Sequence, residues 1–212
     1  YDISNGVVQS CPSLLLEPAS TNVITYSEDF TQSAWAKTGS SITNNIVISP
    51  DGSLNADKLV EDTSTGEHFI QESGITVIDN KYSFTLFAKA SGSSKIRVRG
   101  ANYFFNIAGA DFDLIAKPAT NLSEATNAEI LEMENGWFKC TFTSLSNAAV
   151  GNSAHFRVYL LNNLGDTSYT GDGISGAYIW GAQLEALSYA TSYIPTLSGA
   201  IQTRAAETCL KT

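Results

Sequence analysis

The sequence predicts an all-β protein, a two-sheet β-sandwich of jelly-roll topology, on the basis of three observations. Apolar and polar residues alternate with a period of two through nine short segments, which is the pattern of half-buried strands. Clusters of Gly, Asn, Asp and Pro separate these segments, as expected of turns. Between the segments no stretch has the length and periodicity of a helix, and many short strands without helices are typical of a sandwich.

The predicted strands follow one another at regular spacing. They cover residues 22–27, 40–49, 67–73, 81–90, 94–99, 127–133, 136–145, 154–162 and 176–186. The dipeptide Asn135-Gly136 lies between two of these runs and is a strong hairpin signal. A single helical turn is predicted around 27–35, and residues 110–126 are expected to form a long loop.

The length of 212 residues suits one undivided domain, because all-β sandwiches often reach this size. We therefore expect a single module over 1–212, with its core at about 14–194 and a C-terminal tail at 195–212. No apolar run is long enough for a transmembrane helix, so membrane insertion is not expected. The chain begins at Tyr1 rather than at Met, which suggests a module taken from a longer protein.

The charge balance argues against nucleic acid as a general partner. The formal net charge is -9 and the sequence pI is about 4.6, so the chain as a whole repels phosphate backbones. The composition is acidic and rich in Ser, Thr, Asn and Gly, with a single Met. This composition suits an extracellular or virion-associated location.

The three cysteines fall into two settings. Cys140 lies in a predicted strand and is expected to point inward as a small apolar side chain. Cys11 and Cys209 lie near opposite ends of the chain, and the ends of a domain often lie close together. A Cys11–Cys209 disulfide is one expectation and two free thiols are the other, because spacing alone does not establish pairing.

Alternation sorts the side chains of four strands into an inner and an outer set. The inner set is apolar and forms the predicted core: Tyr82, Phe84, Leu86, Ala88, Ile96, Val98, Phe138, Cys140, Phe142, Phe156, Val158 and Leu160. The outer set combines basic and aromatic residues: Phe87, Lys89, Lys95, Arg97, Arg99, Trp137, Lys139, His155, Arg157 and Tyr159. Six of the 12 Lys and Arg residues of the chain belong to this outer set.

If these strands are neighbours in one sheet, the outer set forms a basic, aromatic surface on an anionic protein. Sugar rings stack on aromatic side chains, and the forked donors of Arg suit carboxylate or sulfate groups. The pattern therefore predicts a groove that binds an acidic polysaccharide. The alternative is that the cations only solvate the sheet and discourage edge pairing, while Phe87 and Trp137 pack under a loop.

Three stretches of the chain resemble a known family. They are Leu14-Leu15-Leu16-Glu17-Pro18 with Thr21-Asn22, Tyr26-Ser27-Glu28-Asp29-Phe30 and Trp35; Gly136-Trp137-Phe138-Lys139; and Gly171-Asp172-Gly173 with Tyr178-Ile179-Trp180-Gly181-Ala182-Gln183-Leu184-Glu185, Thr191-Ser192-Tyr193-Ile194-Pro195-Thr196 and Thr203-Arg204. Together they resemble the carbohydrate-binding-module-like jelly rolls of bacteriophage tail, spike and fibre proteins and of some bacterial polysaccharide-degrading proteins. The resemblance implies sugar binding within a larger phage structural or secreted protein, where other chains of a fibre are further partners. It also places Trp35 and Trp180 in the framework.

The same pattern is similar to xylanase-type carbohydrate-binding modules, whose opening and closing strands commonly hold a structural calcium ion. The resemblance places the ligands at Glu28 or Asp29 and at Glu185. Calcium takes several oxygen ligands, some of them backbone carbonyls. Those modules usually carry an Asp in the closing strand where Gly181 or Gln183 stands here. The alternative is that Glu28 and Asp29 lie on the surface of a helical turn and that Glu185 pairs with a surface cation.

Recognised catalytic motifs are absent from the sequence. There is no HExxH, GxSxG, P-loop or CxxC motif, and His68 and His155 are the only His residues. A non-catalytic module is therefore expected. The enzymatic alternative is a jelly-roll polysaccharide lyase, because His155, Arg157 and Tyr159 share one strand face. A further alternative is a purely structural module of a phage tail or head fibre, with aromatics such as Phe87 contacting other chains.

Overall fold

The computed structural model describes residues 16–102, 108–146 and 152–208, together with two short strands near the start of the chain. Cys11 and Cys209 lie outside these residues, so the disulfide stays a prediction. The strands are β1 (Ile3–Ser4), β2 (Val7–Val8), β3 (Ser20–Asn22), β4 (Trp35–Thr38), β5 (Ser40–Ile48), β6 (Leu54–Glu61), β7 (Thr65–Glu67), β8 (Phe69–Val77), β9 (Lys81–Ser91), β10 (Lys95–Ala101), β11 (Gly109–Asp113), β12 (Ala119–Leu122), β13 (Thr126–Glu132), β14 (Phe138–Leu145), β15 (Asn152–Leu161), β16 (Ser168–Thr170), β17 (Gly176–Glu185) and β18 (Gln202–Arg204). One 3₁₀ turn, Glu134–Gly136, joins β13 to β14.

Two six-stranded sheets form the body of the protein. The front sheet has the order β12-β11-β10-β15-β8-β4, and the back sheet has the order β13-β14-β9-β17-β6-β5. The ribbons β1–β2, β7–β16 and β3–β18 accompany them. No helix in the described ranges is long and apolar enough to cross a membrane.

The pairing of eight central strands gives the jelly roll. In chain order these strands are β6, β8, β9, β10, β11, β14, β15 and β17. The first pairs with the last, the second with the seventh, the third with the sixth and the fourth with the fifth, and every pair is antiparallel. This nested pairing, with its strands divided between two facing sheets, is jelly-roll topology, so the predicted fold class is confirmed.

The core lies between the inner faces of the two sheets. All twelve residues of the predicted inner set are at most 5% exposed, so the alternation identified the core side of each strand correctly. Phe84 stacks on Phe142 at 4.3 Å between ring centroids, across two neighbouring back-sheet strands. Trp35 packs edge-on against Phe30 and Phe156, as expected of a framework residue. Cys140 is buried among these side chains as a free thiol, and burial raises its pKa.

Several segments differ from the prediction. The predicted strand 22–27 is limited to its first residue, because β3 is Ser20–Asn22 and residues 23–27 form no strand. Residues 110–126 contain β11 and β12 instead of a long loop. The predicted helical turn at 27–35 is a series of non-helical turns ending at β4. β6 has no counterpart among the predicted strands, because Asp57 is buried in it and interrupts the apolar pattern. Backbone N–H donors occupy both carboxylate oxygens of Asp57, which satisfies the buried group.

The opening and closing segments are joined by side-chain hydrogen bonds. Asn22, fully buried, donates through Nδ2 to the carbonyls of Ala182 and Ile194 at 3.1 and 2.9 Å. Its Oδ1 accepts from the backbone N–H groups of Ile24 and Leu184. The segment 195–204, part of the expected C-terminal tail, includes the buried Thr196 and β18, which pairs with β3.

Candidate functional site

The predicted outer set is divided between opposite sides of the sandwich. Lys95, Arg97, Arg99, His155, Arg157 and Tyr159 lie on the front sheet, whereas Phe87, Lys89, Trp137 and Lys139 lie on the back sheet. The expectation of one shared surface is therefore wrong. The chain crosses from one sheet to the other between β9 and β10 and between β14 and β15, and alternation within a strand does not reveal such crossings.

The aromatic residues of the back sheet are buried. Phe87 and Trp137 are 5% and 1% exposed, and they form a second apolar cluster with Trp180. Tyr193, from the segment after β17, covers Phe87 and Trp180 at centroid distances of 5.9 and 4.6 Å. Trp137 donates its Nε1 hydrogen to the carbonyl of Ile48 at 3.0 Å. These rings cannot stack on a ligand without unpacking the cluster, which corrects their assignment to an exposed surface.

The two lysines of the back sheet have ordinary settings. Lys139 donates to the carbonyl of Thr191 at 3.2 Å, and Lys89 passes over the turn at Gly136. Neither lies within 4.0 Å of a carboxylate among the described residues. The cationic site predicted from the sequence is therefore reduced to its front-sheet half.

Antiparallel register brings the front-sheet residues together. Arg97 lies opposite Tyr159 and Arg99 lies opposite Arg157 on β10 and β15. Strand β8 adds two residues on the same face, since Gln71 lies opposite Arg157 and Phe69 lies opposite Tyr159. Together with His155, these residues form one continuous surface across three strands, which we call the arginine face (Phe69, Gln71, Arg97, Arg99, His155, Arg157 and Tyr159).

One end of the arginine face is neutralised by acidic residues from β11. Arg97 donates to both carboxylate oxygens of Asp111, at 2.6 Å through Nε and 2.9 Å through Nη2. This hydrogen-bonded pairing raises the pKa of Arg97. Lys95 lies 3.8 Å from Asp113 on the same side. These pairs fix the edge of the surface and leave its positive charge on the remaining two arginines.

The Arg99 and Arg157 guanidinium groups have no carboxylate within 4.0 Å in the described part of the chain. Arg157 donates through Nε to Gln71 Oε1 at 2.6 Å and through Nη1 to the Tyr159 hydroxyl at 3.2 Å. Its guanidinium lies over the Phe69 ring at 5.4 Å, which is within the range of a cation–π contact. Arg157 is therefore held in position by neutral partners, and no carboxylate in the described part of the chain offsets its charge.

Arg99 is the least satisfied group of the arginine face. Its guanidinium lies over the Tyr159 ring at 5.0 Å, and its buried Nε has no hydrogen-bond partner among the residues that the structure describes. Burial lowers the pKa of Arg99 from its ordinary value, and the like charge of Arg157 lowers it further. Two like charges directly opposite each other on adjacent strands destabilise a sheet. An anion bound between them would relieve this repulsion.

His155 borders the arginine pair as a neutral hydrogen-bonding group. Its Nε2 accepts from Asn102 Nδ2 at 2.7 Å, and its Nδ1 lies 3.3 Å from Gln71 Oε1, to which it donates. Partial burial and the charge of Arg157 lower the pKa of His155, which favours this neutral form. Tyr159 is 0% exposed, so its hydroxyl is closed to a substrate. Of the three residues in the lyase alternative, His155 and Arg157 reach the surface of the arginine face and Tyr159 does not.

Sequence reasoning missed Phe69, Gln71 and Asp111. The first two lie in the predicted strand 67–73 with the correct alternation, but their neighbours on the sheet were unknown. Asp111 lies in a segment that was expected to be a loop. Knowing the strand order would have identified all three.

The predicted calcium ligands Glu28, Asp29 and Glu185 do not form a three-carboxylate cluster in the described part of the chain. Within 16–102, 108–146 and 152–208, no three His, Cys, Asp or Glu residues are grouped as a metal site requires. Glu185 is fully buried and accepts from the hydroxyl of Ser20 and from Thr191 and Gln183. The N–H donors among these partners contact Oε2 and the hydroxyls contact Oε1, so Glu185 is the centre of a structural hydrogen-bond network.

The carboxylates of Asp29 and Glu28 accept hydrogen bonds from other groups of the chain. Asp29 accepts from the backbone N–H of Thr31 and from Gln32, which lowers the pKa of Asp29 despite its partial burial. Glu28 accepts from Asn55 and Tyr193, and burial raises its pKa. Asp29 therefore stabilises the turn that precedes β4, and Glu28 links that turn to β6 and to the segment after β17.

No protein-family model matches this chain, and no curated protein matches it. Similar solved structures include the enzymatically active domain of tailspike protein 4 of bacteriophage CBA120, with 12% identity, a TM-score of 0.44, and coverage of 77% of this chain and 21% of that chain. TmCBM61, solved in complex with β-1,4-galactotriose, has 11% identity, a TM-score of 0.44, and coverage of 77% and 97%. The CBM22-1 xylan-binding domain of Paenibacillus barcinonensis Xyn10C has 12% identity, a TM-score of 0.44, and coverage of 82% and 99%.

The overlap with these structures differs in extent. The matched part is about a fifth of the tailspike chain and nearly the whole of the two binding modules. At TM-scores of 0.44 the likeness to these structures is weak, and the jelly-roll fold is shown by the strand pairing within this chain.

Proposed function

We propose that this protein is a non-catalytic module that binds an acidic polysaccharide on its arginine face. The observation that carries the proposal is the pair Arg99 and Arg157, which lie directly opposite each other without a described carboxylate partner on a protein of net charge -9. Two like charges directly opposite each other destabilise a sheet, and a bound anionic ligand would offset their repulsion.

The chemistry of the ligand follows from the available donors. Guanidinium groups present forked N–H donors that match carboxylate and sulfate oxygens. Gln71, His155 and Asn102 border the pair with neutral polar groups, which suit the hydroxyls of a sugar. A uronate or sulfated sugar offers both kinds of group on one ring.

Recognition on this face is polar rather than by ring stacking. Tyr159 and Phe69 are 0% and 9% exposed, because the two guanidinium groups cover their rings. The rings therefore act as supports beneath the two guanidinium groups. This differs from the stacking role that the sequence suggested for the aromatics.

We further infer that the module serves a larger extracellular or virion-associated protein, either a phage structural protein or a secreted polysaccharide-degrading protein. The resemblance to jelly rolls of phage spikes, together with the acidic composition, supports this setting. The module would then attach its parent protein to an anionic polysaccharide, while catalysis, where present, belongs to another domain.

Affinity gel electrophoresis tests the proposal. The protein is run through gels containing alginate, ulvan or a capsular polysaccharide, and through gels containing uncharged xylan. We expect retardation in at least one acidic gel, weakening as salt is raised from about 50 to 500 mM, because screening reduces ionic contacts. The paired variant Arg99→Gln/Arg157→Gln should migrate as it does in a gel without polysaccharide.

The matched control removes two positive charges from the opposite sheet. Lys58→Gln/Lys89→Gln has the same net charge as the arginine variant, so unspecific electrostatic effects are equal in both. It should keep the retardation. Loss of binding in the lysine variant alone would contradict a site on the arginine face. No retardation in any acidic gel would contradict the proposal as a whole and favour a purely structural module of a fibre.

A further inference from the structure

A cavity lies on the opposite side of the sandwich from the arginine face. Its floor is the outer surface of β13 and β14, where Glu129 lies opposite Thr141 and Leu131 lies opposite Lys139. Its other wall is the segment Ser188, Tyr189 and Ala190, which follows the closing strand. The cavity is open to solvent and has a volume of about 220 Å³. That volume suits a single sugar ring.

The side chains of this cavity combine apolar and polar groups. Tyr189 and Leu131 are 52% and 56% exposed, so part of each apolar surface remains open to a ligand. Glu129 and Lys139 both line the cavity, and their charged groups are too far apart to form an ion pair with each other. Lys139 uses one of its three hydrogens on the carbonyl of Thr191 and keeps two.

A β-bulge shapes the rim of this cavity. The register of β13 and β14 shifts between Thr126 and Glu129, and Asn127 adopts a φ of 54° within the shift. Positive φ is uncommon outside glycine and costs free energy, although Asn tolerates it better than most residues. Bulges often turn a side chain toward a binding site. Here the bulge places Asn127 on the lining of the cavity.

We propose that this cavity is a second carbohydrate site, which binds one uncharged pyranose ring. The C–H face of the ring would lie against Tyr189, while the Glu129 carboxylate accepts from hydroxyls and Lys139 and Asn127 donate to them. One carboxylate and one ammonium balance each other, so the site favours neither an anion nor a cation. The site is independent of the arginine face and differs from it in ligand class.

Backbone amide NMR titration tests this second site. The probes are xylotriose, mannotriose and galactotriose, each added to about 10 mM, a range that detects weak single-ring binding. We expect saturable shift changes at Thr141 and Ala190 with at least one probe, and none at Arg157. The variant Tyr189→Ala should lose them, whereas Leu164→Ala, which truncates an 87% exposed side chain elsewhere, should keep them.

The test separates this inference from the proposed function. Arg99→Gln/Arg157→Gln should keep the shift changes, because its substitutions lie on the opposite sheet. Unchanged spectra with all three probes, or shift changes that survive in Tyr189→Ala, would overturn the second site. Shift changes confined to the arginine face would overturn it as well, while leaving a sugar-binding function in place.

Discussion

Arg99 and Arg157 face each other across β10 and β15, and neither guanidinium has a carboxylate within 4.0 Å among the described residues. Two residues before Arg99 on the same strand, Arg97 forms a two-point pair with Asp111. The same sheet therefore contains one arginine that is paired with a carboxylate and two that have no carboxylate partner among the described residues. This contrast provides a direct test of whether the unpaired arginines serve the fold or a ligand.

Replacing Arg99 by Met should stabilise the protein while weakening polysaccharide binding. Met keeps an apolar stem over Tyr159 and removes both the unpartnered Nε and the repulsion with Arg157. We expect the free energy of unfolding to rise by about 0.5–1 kcal/mol, measured by urea denaturation. Arg97→Met, which leaves Asp111 without its partner, should have the opposite effect on stability. A destabilised Arg99→Met variant would indicate a structural role for Arg99.

Trp137→Ala should destabilise the protein strongly. Trp137 is 1% exposed, fills the second apolar cluster and donates to the carbonyl of Ile48. Truncating a buried Trp costs about 3–5 kcal/mol, which chemical denaturation would measure. Truncation of the exposed Leu164 should change stability by less than about 0.5 kcal/mol. An equally small effect at Trp137 would mean that this ring is not part of the packed structure.

Stability should fall as pH rises through the region near neutrality. Burial raises the pKa of Glu72 to about 7 from 4.5, and it raises that of Asp57 to about 6 from 3.8. Between the unfolded and folded pKa values the native state binds more protons than the unfolded state, so raising the pH favours unfolding. For Glu72 the loss is on the order of 3 kcal/mol.

Urea unfolding of the wild type and of Glu72→Gln, measured at several pH values between about 4.5 and 8, checks this prediction. The variant should show a shallower decline, because the contribution of Glu72 is gone. Glu132→Gln is the matched control, since the Glu132 side chain is 58% exposed and pairs with Lys117 at the surface. Equal declines in all three proteins would contradict the raised pKa of Glu72.

Asn22→Ala should separate the opening segment from the closing strand. The substitution leaves two carbonyls, of Ala182 and Ile194, and two N–H groups, of Ile24 and Leu184, without the Asn22 side chain as their partner. Each unsatisfied buried group costs about 1–3 kcal/mol, so a loss of at least about 3 kcal/mol is expected in thermal or chemical unfolding.

The matched control for Asn22 is its neighbour in β3. Thr21→Ala removes a hydroxyl that hydrogen-bonds to the Thr203 hydroxyl at the exposed surface of the same ribbon. Water can replace that partner, so the expected loss of stability is below about 1 kcal/mol. Losses of similar size at the two positions would argue against a central role for Asn22 in joining the two segments.

Removing divalent cations should leave stability unchanged. The oxygens of Glu185 are occupied by donors from Ser20, Thr191 and Gln183, so chelation has nothing to extract from this network. We expect equal Tm values with and without excess EDTA. A drop of several degrees on chelation, restored by calcium, would show a bound cation that stabilises the native state.

Much of the fold could be predicted because period-two alternation is a local property. It identified the buried side of β9, β10, β14 and β15 correctly at every position of the inner set. β6 was not predicted because a carboxylate such as Asp57 normally indicates a surface position. The burial of Asp57 is explained only by the backbone N–H groups of Phe30 and Asn45, which are distant in sequence.

The candidate site was harder to predict because it depends on which strands are neighbours. Alternation correctly placed Arg97 and Lys139 on the outer faces of their strands, but it did not show that these strands belong to opposite sheets. Only register brings Gln71 beside Arg157 and Asp111 beside Arg97. These are contacts between residues far apart in the chain, and a local pattern contains no information about them.

The ribbon of β3 and β18 has a consequence for how such a module can be carried by other proteins. Ser20 pairs with Arg204, so the chain enters and leaves the sandwich at neighbouring positions, about 5 Å apart across one strand spacing. A host could accept the whole unit within a surface turn and keep its own geometry on both sides of the junction. Further chain attached at this ribbon would thus extend from one point of the surface and leave the packing between the two sheets undisturbed.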